Sequence, residues 1–219
     1  MQTSLPQGCL LCGARVTGQL ICPDCTADLP TLPTERCPQC ALPSPAGLIC
    51  GACLKRPPQF ERGEAVYGYA FPLDRLIQHC QYNGTLELAG LFAEAMAARL
   101  LDQPRPDLII PMPLHPARVR QRGFNQAQEI ARHLALYLGI PSRHVCRRLR
   151  DTPPQAGLDL KARRRNLRGA FACDEDLSGK RIALLDDVMT SGSSLNELAR
   201  AARRAGAVEV SAWVVARTL

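Results

Sequence analysis

Arg181-Ile182-Ala183-Leu184-Leu185-Asp186-Asp187-Val188-Met189-Thr190-Ser191-Gly192-Ser193-Ser194 decides how the rest of the chain is read. Ile182–Leu185 is a short continuous apolar run, the pattern of a strand buried on both faces of a parallel sheet. Two adjacent carboxylates, Asp186 and Asp187, follow where such a strand should emerge. Thr190–Ser194 then offers four hydroxyls around Gly192, ahead of an amphipathic run with Leu195, Leu198, Ala199 and Ala202 on one side. Ser194 and Glu197 have capping-box spacing, which predicts a helix starting at this loop. A strand, a small-residue turn and a helix N-terminus together favour an anion, because free N–H groups and the helix dipole point to one place.

The acidic pair narrows the ligand. Carboxylates beside a phosphate cradle suit a molecule with vicinal hydroxyls as well as a phosphate, the shape of a ribose 5-phosphate. The stretch resembles the PRPP-binding signature of type I phosphoribosyltransferases, in which an apolar strand, two acidic residues, two variable positions and a Thr/Gly/Ser loop follow one another. No Lys follows Gly192, which excludes a Walker loop, and no G-x-G-x-x-G occurs.

Outward from this stretch, strands alternate with helices. Asp107–Met112 reads as a second buried strand, Glu64–Phe71 as a strand with aromatic and β-branched character, and Val208–Ala216 as a last apolar strand. Helices are predicted over Pro72–Tyr82, Leu86–Leu101, Asn125–Leu138 and Leu158–Leu167, with Asn83-Gly84 as a turn and Gly139 and Pro141 as stop signals. The expected fold is α/β, a mostly parallel sheet with helices on both faces. Ligand loops gather at the carboxyl ends of such strands, so the turn Pro113-Leu114-His115, followed by Arg118, Arg120 and Arg122, is a second candidate site. The formal charge of +7 is uneven: Arg118–Arg168 carries +10 and the remainder −3. A solvated basic face and an anionic ligand, pyrophosphate or a nucleic acid backbone, both account for it.

The first 56 residues follow different rules. Eight of the eleven cysteines fall in four C-x-x-C pairs, Cys9/Cys12, Cys22/Cys25, Cys37/Cys40 and Cys50/Cys53, and the second half repeats the first with a period of 28 residues. Two C-x-x-C turns complete one tetrahedral shell, so eight thiolates make two structural Zn²⁺ sites. The repeat suggests Cys9/12 with Cys22/25 and Cys37/40 with Cys50/53; an interleaved pairing satisfies the same chemistry. Met1–Gly13 lacks the pattern of a signal peptide and no apolar run approaches the roughly eighteen residues needed to span a bilayer. A cytoplasmic protein without membrane insertion is expected, and metal therefore accounts for the cysteines better than disulfides. Cys80, Cys146 and Cys173 read as small buried hydrophobes, His79 and His133 as surface or packing residues, and Trp213 as core. Residues 1–56 are thus a double zinc ribbon, Lys55–Pro58 a linker, and 60–219 the α/β domain.

Four features occur together and in order: the Cys pairs, Arg122-Gly123-Phe124-Asn125-Gln126, Arg163-Arg164-Arg165-Asn166-Leu167 and the Asp-Asp-Val-Met-Thr-Ser-Gly-Ser-Ser loop. In this combination the chain resembles the ComF family of competence-associated, phosphoribosyltransferase-like proteins over essentially its whole length. The resemblance implies a link to DNA uptake in natural transformation. It also implies that Asp186 and Asp187 bind ribose hydroxyls with Mg²⁺ nearby, and that Thr190, Ser191, Gly192, Ser193 and Ser194 hold the 5-phosphate. Pro113, Leu114 and His115 would then lie near the pyrophosphate, with Arg122, and Arg163, Arg164, Arg165 and Asn166 would sit on a loop closing over it. Where the family commonly has a basic residue before Tyr82-Asn83-Gly84, this chain has Gln81. Glu64–Asn83 and the ribbon are the expected hood over the acceptor. Three functions compete: a phosphoribosyltransferase of unassigned acceptor, a PRPP sensor without turnover, and an adaptor for single-stranded DNA or DNA-uptake proteins. An oligomer is compatible with each.

Overall fold

Apolar runs without polar interruption become the centre of the sheet. The computed structural model describes residues 6–82, 84–150 and 167–219. The cysteine-rich front end contains β1 (Pro6–Gly8), β2 (Arg15–Thr17), α1 (Pro23–Ala27) and α2 (Gly51–Lys55). Behind it come β3 (Arg62–Gly68), α3 (Leu73–Tyr82), α4 (Glu87–Leu100), β4 (Leu108–Pro111), α5 (Pro116–Arg122) and α6 (Gln126–Leu138). The chain closes with β5 (Cys146–Arg148), β6 (Phe171–Cys173), β7 (Arg181–Met189), α7 (Ser193–Arg204) and β8 (Glu209–Arg217). Four strands form one parallel sheet in the order β3-β8-β7-β4. β4 and the Ile182–Leu185 stretch of β7 are buried along their length, as continuous hydrophobic strands of a doubly covered sheet must be. α4 and α6 pack together over one face, while α7 lies against β7 and β8 on the other. The α/β class is as expected.

Several boundaries moved for physical reasons. β7 does not end before the acidic pair but continues to Met189, because β8 pairs with it as far as Met189↔Arg217. Asp186 and Asp187 therefore stand on opposite faces of a strand. The predicted capping box does not form. Ser194 falls inside α7, Gly192 at φ 71° is the cap residue, and Ser191 Oγ accepts from the Ser193 amide at 3.4 Å. Glu197 turns instead to the Gly169 amide and Arg200. β3 ends three residues earlier than the predicted strand. Cys146 and Cys173, read as isolated hydrophobes, face each other directly across the antiparallel β5–β6 pair with their sulfurs bonded. That pairing is a tertiary fact with no local signature. The helix expected at Leu158–Leu167 lies outside the described residues, apart from its last position.

The ribbon is packed onto the sheet along its β3 edge. The Gly63 amide donates to Pro38 O at 2.9 Å, the Gly68 amide to Pro30 O at 2.8 Å, and Arg36 Nη1 to Ala65 O at 2.9 Å. An exposed edge strand is thereby covered by polar backbone contacts. Gly63 is the closest approach: a Cβ there would sit 2.3 Å from Gln39 O, a backbone atom that cannot swing away. Gly63→Ala should therefore lower stability by about 1–3 kcal/mol, the range for overpacking, read as a fall in melting temperature. A variant that melts like the parent would show that the ribbon separates easily from this strand.

Candidate functional site

β4 ends beside the middle of β7, where Pro111 pairs with Leu185, just before the acidic pair. Three sequence features meet there. The first is the loop. Asp186, Val188, Met189 and Thr190–Ser194 line one small concavity with Leu195. Ser191 Oγ and Ser193 Oγ are 2.9 Å apart, and the Asn196 amide returns to Gly192 O at 2.9 Å, so the turn is shaped by its own hydroxyls. The first-turn N–H groups of α7 have no acceptor within the helix and open on this concavity.

The second feature is the acid pair, whose members have unlike surroundings. Asp187 is 7% exposed. Its Oδ2 accepts from Gln81 Nε2 at 2.5 Å and from Gln126 Nε2 at 3.1 Å, and its Oδ1 from the Val188 amide at 2.8 Å. Asp186 Oδ1 accepts the Asp187 amide at 3.0 Å. Asp186 is half-buried on the wall of the concavity. Burial pushes its carboxyl well above the usual carboxylate range, and repulsion from Asp187 adds to the effect, with Arg148 opposing it.

The third feature is Arg122-Gly123-Phe124-Asn125-Gln126, which is a wiring motif. Gly123 at φ 81° ends α5. Asn125 caps α6 through the Ala127 amide at 3.1 Å, and its Nδ2 donates to Met112 O at 3.0 Å, tying the helix start to the end of β4. Gln126 then reaches Asp187, while Arg122 donates to Gln126 Oε1 at 3.3 Å and stacks over Tyr82 at 5.1 Å. Gln81 and Gln126 are the residues that sequence reasoning missed. Gln126 was in view within a motif read for its arginine, and Gln81 was seen as a departure without a role.

His115 is partly buried and occupies the cap of α5, its Nδ1 accepting from the Ala117 amide at 3.3 Å. Pro113 and Leu114 are partly buried in the same turn. Arg163, Arg164, Arg165 and Asn166 lie outside the described residues.

At the front end the cysteines form two separate clusters, Cys9/Cys12/Cys22/Cys25 and Cys37/Cys40/Cys50/Cys53, with all sulfurs of a cluster within 4.8 Å of one another. The sequential pairing holds and the interleaved one does not. Burial works against ionisation of Cys9, but amide donors from Cys12, Cys22 and Leu11 outweigh it and bring the thiol down to about 6. Cys37 comes down to about 7 in the same way, with donors from Cys50, Cys40 and Gln39. Four sulfurs converging within 4.8 Å, one in each cluster favoured as thiolate by amide donors, fit structural zinc.

The model of the double zinc ribbon domain family matches residues 1–54. The DNA utilization protein YhgH of Salmonella typhi is 36% identical over 191 residues, 84% of each chain. Competence protein F of Haemophilus influenzae is 34% identical over 178 residues, covering 77% of this chain and 78% of that protein. The chain belongs to the ComF family. Among solved structures, the purine phosphoribosyltransferase of Pyrococcus horikoshii is 20% identical with a TM-score of 0.41, covering 61% of this chain and 85% of that one. Among the described residues no helix is long and apolar enough to cross a membrane.

Proposed function

We propose that this ComF-family chain binds PRPP with Mg²⁺ and transfers or recognises its phosphoribosyl group in the handling of DNA, the process that the names of its relatives point to. The observation that carries the reading is the placement of Asp186 and the Thr190–Ser194 loop on one concavity, with Asp187 next in the strand and held by Gln81 and Gln126. The loop hydroxyls and the amides of α7 supply donors for a 5-phosphate. Ribose hydroxyls donate to the carboxylates, whose oxygens also suit a hard cation such as Mg²⁺. Bound there, Mg²⁺ would offset the charge of the pyrophosphate. Gln81 and Gln126 hold the Asp187 carboxylate in a fixed orientation, so no reorganisation is needed when the ligand arrives. His115 belongs to the same end of the sheet as a cap of the turn that faces the pyrophosphate position. Arg163, Arg164 and Arg165 are assigned to the leaving group on sequence grounds.

Titration calorimetry with PRPP and Mg²⁺ tests the binding reading. Micromolar affinity that needs the cation, and weaker binding of ribose 5-phosphate, is the expected result. No heat with PRPP at millimolar concentration would remove the proposal. Release of pyrophosphate in the presence of purine, pyrimidine and nucleic-acid acceptors then separates transfer from recognition alone.

A further inference from the structure

Arg217 closes β8 with its side chain buried at 6% exposure. Its Nε donates to Cys40 O at 2.9 Å. Its Nη1 donates to Met189 O at 2.8 Å, to Thr218 O at 2.7 Å and to Thr190 O. Cys40 closes the Cys37-Pro38-Gln39-Cys40 turn of the second cysteine cluster, whereas Met189 and Thr190 lead into the loop of the candidate ligand site. One guanidinium thus joins a metal-binding turn to a phosphate-binding loop. A guanidinium is planar, and its donors keep a fixed angle to one another, so the Cys40 carbonyl and those of Met189 and Thr190 cannot move independently without a bond being lost. The first cluster joins the common core by apolar packing and has no comparable polar link: among the described residues, 6–28 make no hydrogen bond or ion pair to the α/β part of the chain.

We propose that Arg217 is a positioning residue that sets the Thr190–Ser194 loop from the second cysteine cluster, so that metal in that cluster, and not in the first, holds the ligand site in shape. The ribbon's role is then internal to the site as well as structural. The consequence for affinity rests on the reading of the loop as a PRPP site; the consequence for loop order does not.

Hydrogen exchange at the amides of 190–195 tests the link in the full chain, compared between Cys37→Ser/Cys40→Ser and Cys9→Ser/Cys12→Ser. Disruption of the second cluster should speed exchange at these amides about tenfold, the scale of one charge-assisted hydrogen bond, and weaken PRPP with Mg²⁺ by a similar factor. Disruption of the first cluster should change neither. In an Arg217→Lys background the second-cluster change should add almost nothing, because an ammonium can serve the loop carbonyl groups but cannot also span to Cys40. Unchanged exchange at 190–195, equal effects from both clusters, or faster exchange spread over the whole sheet would each overturn the proposal. If Arg217→Lys does not fold, the two cysteine variants decide the matter alone. Absence of PRPP binding in the unmutated protein would remove the proposed function, while the exchange pattern would still decide the link.

Discussion

Asp186→Asn is expected to fold, to melt above the parent at neutral pH, and to lose about 2–4 kcal/mol of PRPP affinity, the scale for removing charge-assisted hydrogen bonds at a desolvated site. The stability gain follows from the half-buried position of the carboxyl next to Asp187. Its folded-state pKa is raised, so the folded protein binds the proton more tightly than the unfolded chain does. Stability then falls as pH climbs from the ordinary carboxylate value through the raised one. Asn carries no such proton, and its stability profile should be flat across that interval. The affinity loss follows because ribose hydroxyls and a cation both need the charged form, so binding should release the proton. Heat measured for the parent should vary with the ionisation enthalpy of the buffer, and heat for Asp186→Asn should not. Asp187→Asn is different. Every oxygen of Asp187 accepts a bond, from Gln81, Gln126 or the Val188 amide, so an amide nitrogen in either position meets another donor. It should lose about 1–3 kcal/mol of stability as well as affinity. Thermal shift with and without PRPP and Mg²⁺ reads both effects. A double variant that keeps the parent's shift on adding PRPP would place the site elsewhere.

What the sequence showed about this site was limited by the range of its forces. Ile182–Leu185 and Asp107–Met112 are legible as buried strands because burial on both faces is a property of each run by itself. α6 was legible from its apolar spacing, its Asn125 cap and Gly139 at its end. The cysteine clusters were legible because the knuckle is local and repeats. The cage around Asp187 was not. Gln81 and Gln126 come from different helices, 106 and 61 residues from the aspartate, and a glutamine has no periodicity to mark it. The same holds for the pairing of Cys146 with Cys173 and for the bond from Arg217 to Cys40, 177 residues away. The capping box failed for a closer reason. Ser191 and Ser193 had already satisfied each other, and Gly192 supplied the left-handed turn, which left Ser194 inside the helix.

Removal of metal should have the largest effect on this molecule. Between residues 6 and 56 the buried apolar side chains other than cysteine are Val16, Ile21, Leu29 and Ala41, too few to order so long a segment against its conformational entropy. The thiolate shells must supply the difference, and structural zinc in small peptides contributes about 10–16 kcal/mol per site near neutral pH. Protein purified without added metal should therefore carry zinc in both clusters, two per chain by elemental analysis. Cobalt exchanged into both should show the thiolate charge-transfer and visible bands of tetrahedral sulfur coordination. A chelator strong enough to strip both sites should expose the amides of 9–53 to rapid exchange, with β4 and β7 remaining protected because most of the buried core they share comes from residues beyond the ribbon. Acid should do the same more gently, since protons compete with the metal for thiolates. A zinc-free preparation whose front end stays protected, with disulfides joining the same eight cysteines, would overturn the assignment. Oxidised cysteines and metal-bound ones differ in mass by the protons lost and the zinc retained, so native and denaturing mass spectra of one sample separate the two outcomes.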